Sequence, residues 1–275
     1  MKTGGRTRPQ EFLSYWSYCR VRYTFANMDM EGGEGARFEL ASDQSLLVYF
    51  ERQNRKGRTE ARPVQPQITL QANERVRKLL RLLQLEPIEG FRNLHPAYCS
   101  LLVKFDALRL RHEEVEAILR RCLERLDEVI LPEPHQVEIP VCYGGEYGPD
   151  LAEVCAMHGM TAAKAIEMHA APEYLVYFLG FVPGFAYLGG LPEALVTPRL
   201  AKPRRRVLAG SVGIAGHQTG VYPFATPGGW RLLGRTPMAM FRTDRDGLSL
   251  LSIGDRVRFA PISAERFAAL EKEWA

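Results

Sequence analysis

Short apolar segments, interrupted by glycine and proline, make up most of the sequence after Pro203. In chain order they read RVLAGSVGIA, TGVYPF, WRLLGR, LSLLSI and DRVRFA. Segments of this length are typical of strands, and the frequent turns allow consecutive strands to pair. Because many short strands avoid exposed edges by closing a sheet on itself, this part of the chain is predicted to form a closed or nearly closed β-barrel. A last helix is predicted in SAERFAALEKEW.

The first half of the chain contains a repeated pattern. SLLVYF at residues 45–50 returns as SLLVKF at residues 100–105, and a helical pattern follows each copy. The first helix is predicted to begin near Asn73 and the second to run from about His112 to Ile130. Their apolar faces are formed by Val76, Leu79, Leu80 and Leu83, and by Val115, Ile118, Leu119, Cys122 and Leu126. We therefore predict two ββα-like units that share one sheet, with both helices on one face.

The proline-rich segment LPEPH, residues 131–135, separates the two halves. The predicted fold is an α+β domain at residues 36–134, followed by a mostly-β barrel domain at residues 135–275. Strands are predicted at QVEIPVCY and YLVYFLGF, and a helix that begins at Thr161. Another helix should begin at Asp150, with Glu153 completing a capping box, and end at Gly159.

Residues 1–35 mix glycine, arginine and aromatic residues without a period. We predict a poorly ordered extension there, with the native start at Met28 or Met30 as one explanation and a structured arm as the alternative.

Composition excludes several functional classes. The chain is 46% hydrophobic and 25% charged, which is ordinary for a globular protein, and no segment is long and apolar enough to span a membrane. Five cysteines without a C-x-x-C pair and the lack of a signal peptide predict a reduced, cytoplasmic setting. No phosphate loop, metal-ligand spacing, nucleophile elbow or nucleic-acid module is present, so neither a metal site nor a nucleic-acid partner is predicted.

Positive charge is concentrated in one part of the chain. Residues 199–258 contain eleven Lys/Arg and three Asp, hence 11 − 3 = +8, which leaves 4 − 8 = −4 for the rest. An anionic ligand or an acidic partner would explain this distribution, and a solvated basic face is the alternative.

Polar and special-backbone residues are densest between residues 169 and 235. Glycine lets a main chain approach a ligand, arginine offers a rigid fork to carboxylate or phosphate, and hydroxyl and amide groups donate hydrogen bonds. The candidates are Gly184, Arg199, Arg204, Ser211, Gln218, Thr219, Tyr222, Thr226 and Arg235, with His169 at the start of the block. As alternatives, the glycines and prolines mark barrel corners, the aromatic residues belong to the core, and Trp230 plugs one barrel end.

Three long motifs in this block carry a resemblance: GFVPGFAYLGGLP, PRLAKPRRRVLAGSVGIAGHQTGVYP and TPGGWRLLGRTP. They resemble the family of 5-oxoprolinase B subunits, which includes allophanate hydrolase subunit 1 and the Kip-type inhibitors of a sporulation histidine kinase. One part of the carboxyltransferase domain of urea carboxylase, its subdomains C and D, is also similar. The resemblance covers roughly residues 38–262. The chain departs from it at Leu208, where the family usually has proline, and over residues 42–46, where the family has G-D-x-A-L.

The resemblance implies an α+β domain followed by a cyclophilin-like barrel. It also implies two partners of the B subunit in 5-oxoprolinase, namely a homologous, barrel-containing C subunit together with the A subunit. Together the three subunits of this family cleave 5-oxoproline to glutamate and hydrolyse ATP, which is assumed to bind with Mg²⁺. Two alternatives stay open: a non-catalytic module that inhibits a histidine kinase, or a subunit for urea or allophanate chemistry.

On this basis the candidates receive roles. Arg199, Arg204 and Arg235 would hold carboxylate or phosphate, and Ser211, Gln218, Thr219 and Tyr222 would orient the amide. Gly184 and Thr226 complete the binding set. His169 is either a general base or a structural group at a helix end. Replacing Arg204 by alanine is expected to abolish activity and leave the fold intact.

Overall fold

The computed structural model describes residues 36–50 and 69–274, all within one compact unit, Glu34–Ala275. The extension predicted at residues 1–35 lies outside the described residues. Because the described residues form one unit, the division into domains at residues 134 and 135 stays a prediction. None of the described helices is long and apolar enough to cross a bilayer.

A four-stranded antiparallel sheet forms the first part of the fold. Its elements are β1 (Ala36–Ser42), β2 (Ser45–Phe50), α1 (Leu70–Leu85), β3 (Phe91–Pro96), β4 (Ser100–Phe105) and α2 (His112–Glu124). The strand order is β1-β2-β4-β3. The repeated segments are therefore the two central strands, and Leu46 lies opposite Val103. This confirms the prediction that the two units share one sheet.

Both helices cover the same face of this sheet. Alternate residues of β2 and β4, such as Val48 and Leu101, pack in one solvent-free cluster with Val76 of α1 and Leu119 of α2. Helix α2 ends earlier than predicted, at Glu124, and a short 3₁₀ turn at Leu126–Glu128 continues it. Leu126 in this turn is still buried in the core, whereas Ile130, the predicted end of the helix, is 87% exposed.

The second part of the fold is a closed barrel. Its elements are β5 (Gln136–Tyr143), α3 (Leu151–His158), α4 (Ala162–Ala170), β6 (Tyr174–Leu179), β7 (Ala186–Gly189), β8 (Arg204–Val207), β9 (Ser211–Ala215), β10 (Gln218–Val221), β11 (Thr226–Gly228), β12 (Arg231–Arg235), β13 (Arg256–Pro261) and α5 (Ala264–Glu273). Seven strands close in the order β10-β7-β6-β13-β5-β12-β9, and β8 and β11 form a separate ribbon. The predicted barrel is confirmed.

Two local predictions in the barrel are wrong. Asp150 lies at the start of α3 but makes no capping hydrogen bond, because its carboxylate binds partners on other elements. The segment LSLLSI at residues 248–253 is a loop, since Leu248 has a left-handed backbone with φ of 61°. In contrast, Gly159 and Thr161 cap α3 and α4 as predicted.

Asn73 connects the sheet part to the barrel. This α1 residue has no exposed surface, and its Nδ2 donates hydrogen bonds to the carbonyl oxygen of Tyr98 at 3.1 Å and to that of Tyr177, in β6, at 3.2 Å. The ring of Tyr98 packs edge-on against Tyr177, Phe178 and Tyr187, with centroid distances of 5.7, 4.7 and 5.7 Å. This amide and this aromatic ring thus contribute to the junction, as does Ile253, which packs against the core of the sheet part.

Replacing Asn73 by alanine should lower the free energy of unfolding by about 2 kcal/mol, because two buried carbonyl oxygens lose their donor. Urea denaturation measures this change. Asn93→Ala is the matched control, since Asn93 is exposed and, among the described residues, its side chain bonds only to the next residue, Leu94. A loss for Asn73→Ala as small as that of the control would show that the junction does not depend on this amide.

Candidate functional site

His169 lies in the interior of the barrel rather than in an open site. It is fully buried in the last turn of α4, and its ring stacks on Phe259 at 4.6 Å. Its Nδ1 is 2.7 Å from the hydroxyl of Tyr143, and its Nε2 is 2.9 Å from the hydroxyl of Thr219. The Thr219 hydroxyl in turn donates to the carbonyl oxygen of Gly213 at 3.0 Å. Both predicted residues therefore belong to one closed hydrogen-bonded chain.

The direction of these hydrogen bonds fixes the tautomer of the imidazole. Since Thr219 donates to a carbonyl, it accepts from Nε2–H of His169, and Nδ1 accepts from the hydroxyl of Tyr143. Burial lowers the pKa of His169 to about 3, so the ring is neutral at physiological pH. With no exposed surface and both nitrogens occupied, His169 fits the structural alternative better than the general base.

Arg204 is held by a buried carboxylate. Its Nη2 lies 2.5 Å from Oδ1 of Asp150, whose other oxygen accepts the main-chain N–H of Leu232 at 2.7 Å. The Asp150 side chain is only 6% exposed, whereas that of Arg204 is 29% exposed. This arrangement connects the start of α3, the ribbon and β12, so the partner of Arg204 lies within the fold.

Two of the predicted arginines, Arg204 and Arg235, lie at opposite ends of β12. The Arg204 guanidinium lies near the carbonyl oxygen of Trp230, just before β12. Arg235 is the last residue of that strand, five residues and roughly 16 Å further along it. Arg235 donates to the carbonyl oxygen of Ala209 at 2.9 Å and lies over the ring of Phe267 in α5. The guanidinium groups of Arg204 and Arg235 thus bind groups at opposite ends of β12, and the roles predicted for them stay predictions.

Aromatic rings form a second, smaller core beneath the ribbon. Phe185, Tyr187, Tyr222 and Trp230 pack at mutual centroid distances between 4.9 and 6.4 Å. Burial raises the pKa of Tyr222, and a main-chain hydrogen bond from Trp230 acts against that shift. The Tyr222 hydroxyl already has this partner, so the residue contributes mainly as a packed wall.

Arg199 lies beside this aromatic core. Its segment is held on both sides, since Arg231 donates to the carbonyl oxygen of Pro198 at 3.4 Å and the N–H of Leu200 donates to that of Gly229 at 2.8 Å. Arg199 itself is exposed, and no other residue within the described ranges forms a hydrogen bond or an ion pair with its guanidinium. Of the three predicted arginines it is the one available to a ligand.

Gly184 belongs to a loop at one mouth of the barrel. Val182, Pro183, Gly184 and Phe185 form a β-turn, in which the N–H of Phe185 donates to the carbonyl oxygen of Val182 at 3.1 Å. Gly184 has φ of 79°, as a type II turn requires after proline. Residues 179–184 line a cavity of about 330 Å³. The glycines and prolines of the motif GFVPGFAYLGGLP therefore shape this mouth.

The remaining candidates lie apart from one another. Ser211 is buried at the start of β9, opposite Arg235, and Gln218 is at the far end of the β9–β10 pair, opposite Ala215. Thr226 is in β11, and its buried hydroxyl has no partner in the described part of the chain. Their predicted roles stay predictions.

Sequence reasoning missed Tyr98 and the role of Asp150. Tyr98 precedes β4, in the first part of the chain, yet its ring lies against Tyr187 of the barrel. No local pattern marks a residue whose neighbours are about eighty positions away. The sequence did single out Asp150, but as a helix cap, and this interpretation required no distant partner.

The described residues contain no group of three or more His, Cys, Asp or Glu side chains that could hold a metal ion. Mg²⁺ that accompanies a nucleotide is usually held by one or two carboxylates together with the phosphates and water, so it would not need such a group.

Comparisons with known proteins place this geometry in a family. Residues 36–251 match the family described as carboxyltransferase domain, subdomain C and D. The chain is 42% identical to the B subunit of 5-oxoprolinase from Bacillus subtilis (strain 168), over 75% of this chain and 90% of that protein. It is 46% identical to the B subunit of 5-oxoprolinase from Escherichia coli O157:H7, over 72% of this chain and 89% of that protein.

Solved structures show the same fold. The crystal structure of a protein named TTHA0988 is 38% identical, with a TM-score of 0.64, over 73% of this chain and 38% of that chain. This chain thus spans about two-fifths of that longer polypeptide. The urea amidolyase of Kluyveromyces lactis superposes with a TM-score of 0.67 over 86% of this chain and 15% of that chain, and at 16% identity it shows the fold alone. The matched domain and the identity to two B subunits together show that the chain belongs to the family of 5-oxoprolinase B subunits.

Proposed function

We propose that this chain is the B subunit of a cytoplasmic, ATP-dependent 5-oxoprolinase that cleaves 5-oxo-L-proline to L-glutamate. Family membership over nearly the whole described fold carries this proposal. The partners are a C subunit with a homologous barrel and an A subunit, and the chain acts within that complex.

The proposed reaction requires accurate positioning of the substrate more than it requires a strong nucleophile. A lactam is stable toward water, and ATP would supply the phosphoryl group that makes its ring carbon electrophilic. This chain contributes groups that bind and orient the substrate. The first candidate for its carboxylate is the guanidinium of Arg199, which has no partner among the described residues.

ATP and Mg²⁺ are proposed to bind with the partner subunits rather than in this chain alone. The sequence has no phosphate loop, and the described residues contain no group of three or more His, Cys, Asp or Glu side chains that could hold a metal ion. The reaction centre is therefore shared between subunits.

The direct test measures ATP hydrolysis that depends on 5-oxoproline, with glutamate as the second readout. We expect no turnover by this chain alone, turnover when the C and A subunits are added, and none when this chain is omitted. Equal turnover by the two partners without it would overturn the proposal, as would hydrolysis of ATP by all three without release of glutamate.

The barrel mouth is proposed as the face that receives the C subunit. Phe181 is 60% exposed with φ of 69°, and Leu208, Phe224 and Leu248 also expose apolar side chains on neighbouring loops. The ring of Phe224 contacts Phe241 at 5.5 Å, which continues the apolar surface beside the cavity. Exposed apolar patches of this kind mark interaction sites, and a left-handed non-glycine residue marks a constrained one.

Replacing Phe181 by aspartate should weaken the association with the C subunit at least about tenfold, because an aromatic anchor is lost and a charge must be desolvated. Biolayer interferometry with the purified partner measures the change. Leu108→Asp is the control, since Leu108 is 98% exposed in the sheet part of the fold. Equal affinity for Phe181→Asp and wild type would show that the partner docks elsewhere.

A further inference from the structure

We propose that β1 is an association surface for a second copy of this chain, in which the two β1 strands pair antiparallel about a two-fold axis at Phe38. The two four-stranded sheets would then continue as one sheet across the interface. This inference concerns the sheet part of the fold and does not rest on the proposed function.

The two edges of the four-stranded sheet differ in their capacity to pair further. Its outer strands are β1 and β3. The register of β3 shifts between Phe91 and Asn93, and its last residue, Pro96, has no N–H to donate. Bulges and prolines are devices by which proteins protect an edge strand from additional pairing. Residues 36–40 of β1 contain neither, since their register with β2 is regular and their sequence is ARFEL.

The register also shows which main-chain groups of β1 face outward. The N–H of Phe50, the last residue of β2, donates toward β4, to the carbonyl oxygen of Cys99. Because this direction alternates from residue to residue, the odd-numbered residues of β2 point toward β1. Their partners there are Arg37 and Glu39, so the N–H and C=O groups of the alternate residues point away from the sheet. Those residues are Ala36, Phe38 and Leu40, and among the described strands only β2 pairs with β1.

A second β1 supplies matching groups for this edge. With Phe38 opposite Phe38 of the second copy, Ala36 of each copy lies opposite Leu40 of the other. All of these pairs are of the hydrogen-bonded kind, so the two copies would share about six main-chain hydrogen bonds. The side chains of Ala36 and Phe38 pack against the core beneath the helices, whereas Leu40 is 55% exposed. Pairing would therefore also cover an apolar side chain that one copy leaves in solvent.

The charges of β1 are self-complementary in this register. Arg37 of each copy lies opposite Glu39 of the other, in the non-hydrogen-bonded pairs, where Cα atoms are about 4.5 Å apart. Opposite charges in such cross-strand pairs stabilise a sheet, and like charges destabilise it. Moving the axis to Arg37 or to Glu39 would place two arginines or two glutamates opposite each other. The charge order thus selects this register and favours a second copy over a strand of unrelated sequence.

Neighbouring groups hold these two side chains on one face of the sheet. Arg37 forms an ion pair with Glu39 of its own strand, and its guanidinium lies over the ring of Tyr49, 4.5 Å from the centroid. In the paired arrangement each guanidinium would lie between two carboxylates. The four side chains would then alternate in sign along the interface.

Sedimentation velocity of the full chain measures the oligomeric state against the chain mass of 31.1 kDa. The first variant is Leu40→Pro, which removes an outward N–H and leaves the hydrogen bonds to β2 in place. The others are the single charge reversals Arg37→Glu and Glu39→Arg, each alone and mixed in equal amounts. Arg92→Glu is the matched control, because Arg92 is an exposed arginine on the opposite edge strand, β3. Urea denaturation checks that each variant is folded.

We expect wild type to sediment at twice the chain mass and Arg92→Glu to do the same. Leu40→Pro should raise the dimer dissociation constant at least about tenfold, since two hydrogen bonds are lost and the ring obstructs the edge. Each charge reversal alone should be monomeric, because like charges then face each other across the axis. The mixture should recover a dimer of one chain of each kind, since every acidic strand then meets a basic one.

Wild type that stays at the chain mass at about 100 μM, where a dimer of micromolar affinity would be formed, would overturn the pairing. Dimers of the single reversals as stable as wild type, or a mixture that stays monomeric, would also overturn it. The C subunit is the competing occupant of this edge. If wild type is monomeric and Leu40→Pro loses affinity for the C subunit, the edge belongs to that partner and the dimer is wrong.

Discussion

Replacing Asp150 by alanine is expected to lower the free energy of unfolding by about 3–5 kcal/mol, because it leaves the Arg204 guanidinium without its buried partner. The same change removes the acceptor of the Leu232 N–H in the second strand position of β12. Urea denaturation, followed by circular dichroism, measures the loss. Asp244→Ala is the control, since Asp244 forms an exposed ion pair with Arg242 and should cost less than about 1 kcal/mol.

The same pair changes the expectation for Arg204→Ala. The sequence suggests loss of activity with an intact fold, whereas the structure predicts a large loss of stability, since the buried Asp150 would lose its cation. A double-mutant cycle with Asp150→Ala should give a coupling energy of at least about 1 kcal/mol. Full stability of Arg204→Ala together with an inactive complex would restore its predicted catalytic role.

Stability should fall steeply in mild acid because of His169. Its pKa in the folded chain is about 3, against an ordinary value of 6.5, and desolvation is the cause. Between these two values the unfolded chain binds a proton that the folded chain does not, so stability decreases as the pH falls. This one group should remove about 2 kcal/mol between about pH 7 and pH 5.

Urea denaturation at several pH values gives the free energy of unfolding as a function of pH. The difference between the slopes of this dependence for wild type and His169→Asn is the contribution of His169. His217→Asn should keep the wild-type slope, because the His217 side chain is exposed beside Glu193. Because His169→Asn could unfold, the ring is also titrated in wild type by NMR. Protonation of His169 near its ordinary pKa of 6.5 in the folded protein would contradict the buried network.

The sequence predicted those parts of the fold that depend on local periodicity. The match between SLLVYF and SLLVKF identified β2 and β4 and their shared sheet, because a buried strand and an amphipathic helix each leave a regular apolar pattern. The loop at residues 248–253 had the same apolar composition as a strand, but the left-handed Leu248 ends any extended pairing. Backbone conformation of this kind leaves no trace in composition.

The site was less predictable, since it depends on which distant groups meet. Arginines at residues 199, 204 and 235 look equivalent in sequence. In the described part of the chain, however, a buried aspartate binds Arg204 and a carbonyl group binds Arg235, whereas Arg199 has no such partner. Tyr98 lies next to Tyr187 because the sheet part packs against the barrel, which no pattern near residue 98 reveals. The density of positive charge in the sequence indicated the region of the candidate site, but it did not predict which group binds each arginine.

The position of β13 has a consequence for synthesis of the protein. This strand, Arg256–Pro261, lies between β5 and β6 and pairs with both, parallel to the first and antiparallel to the second. Because a chain leaves the ribosome from its N-terminus, β5 and β6 each present an unpaired edge until nearly all of the polypeptide has emerged. Such edges can recruit strands from other chains, so a product that ends before residue 256 is expected to aggregate more readily than the full chain.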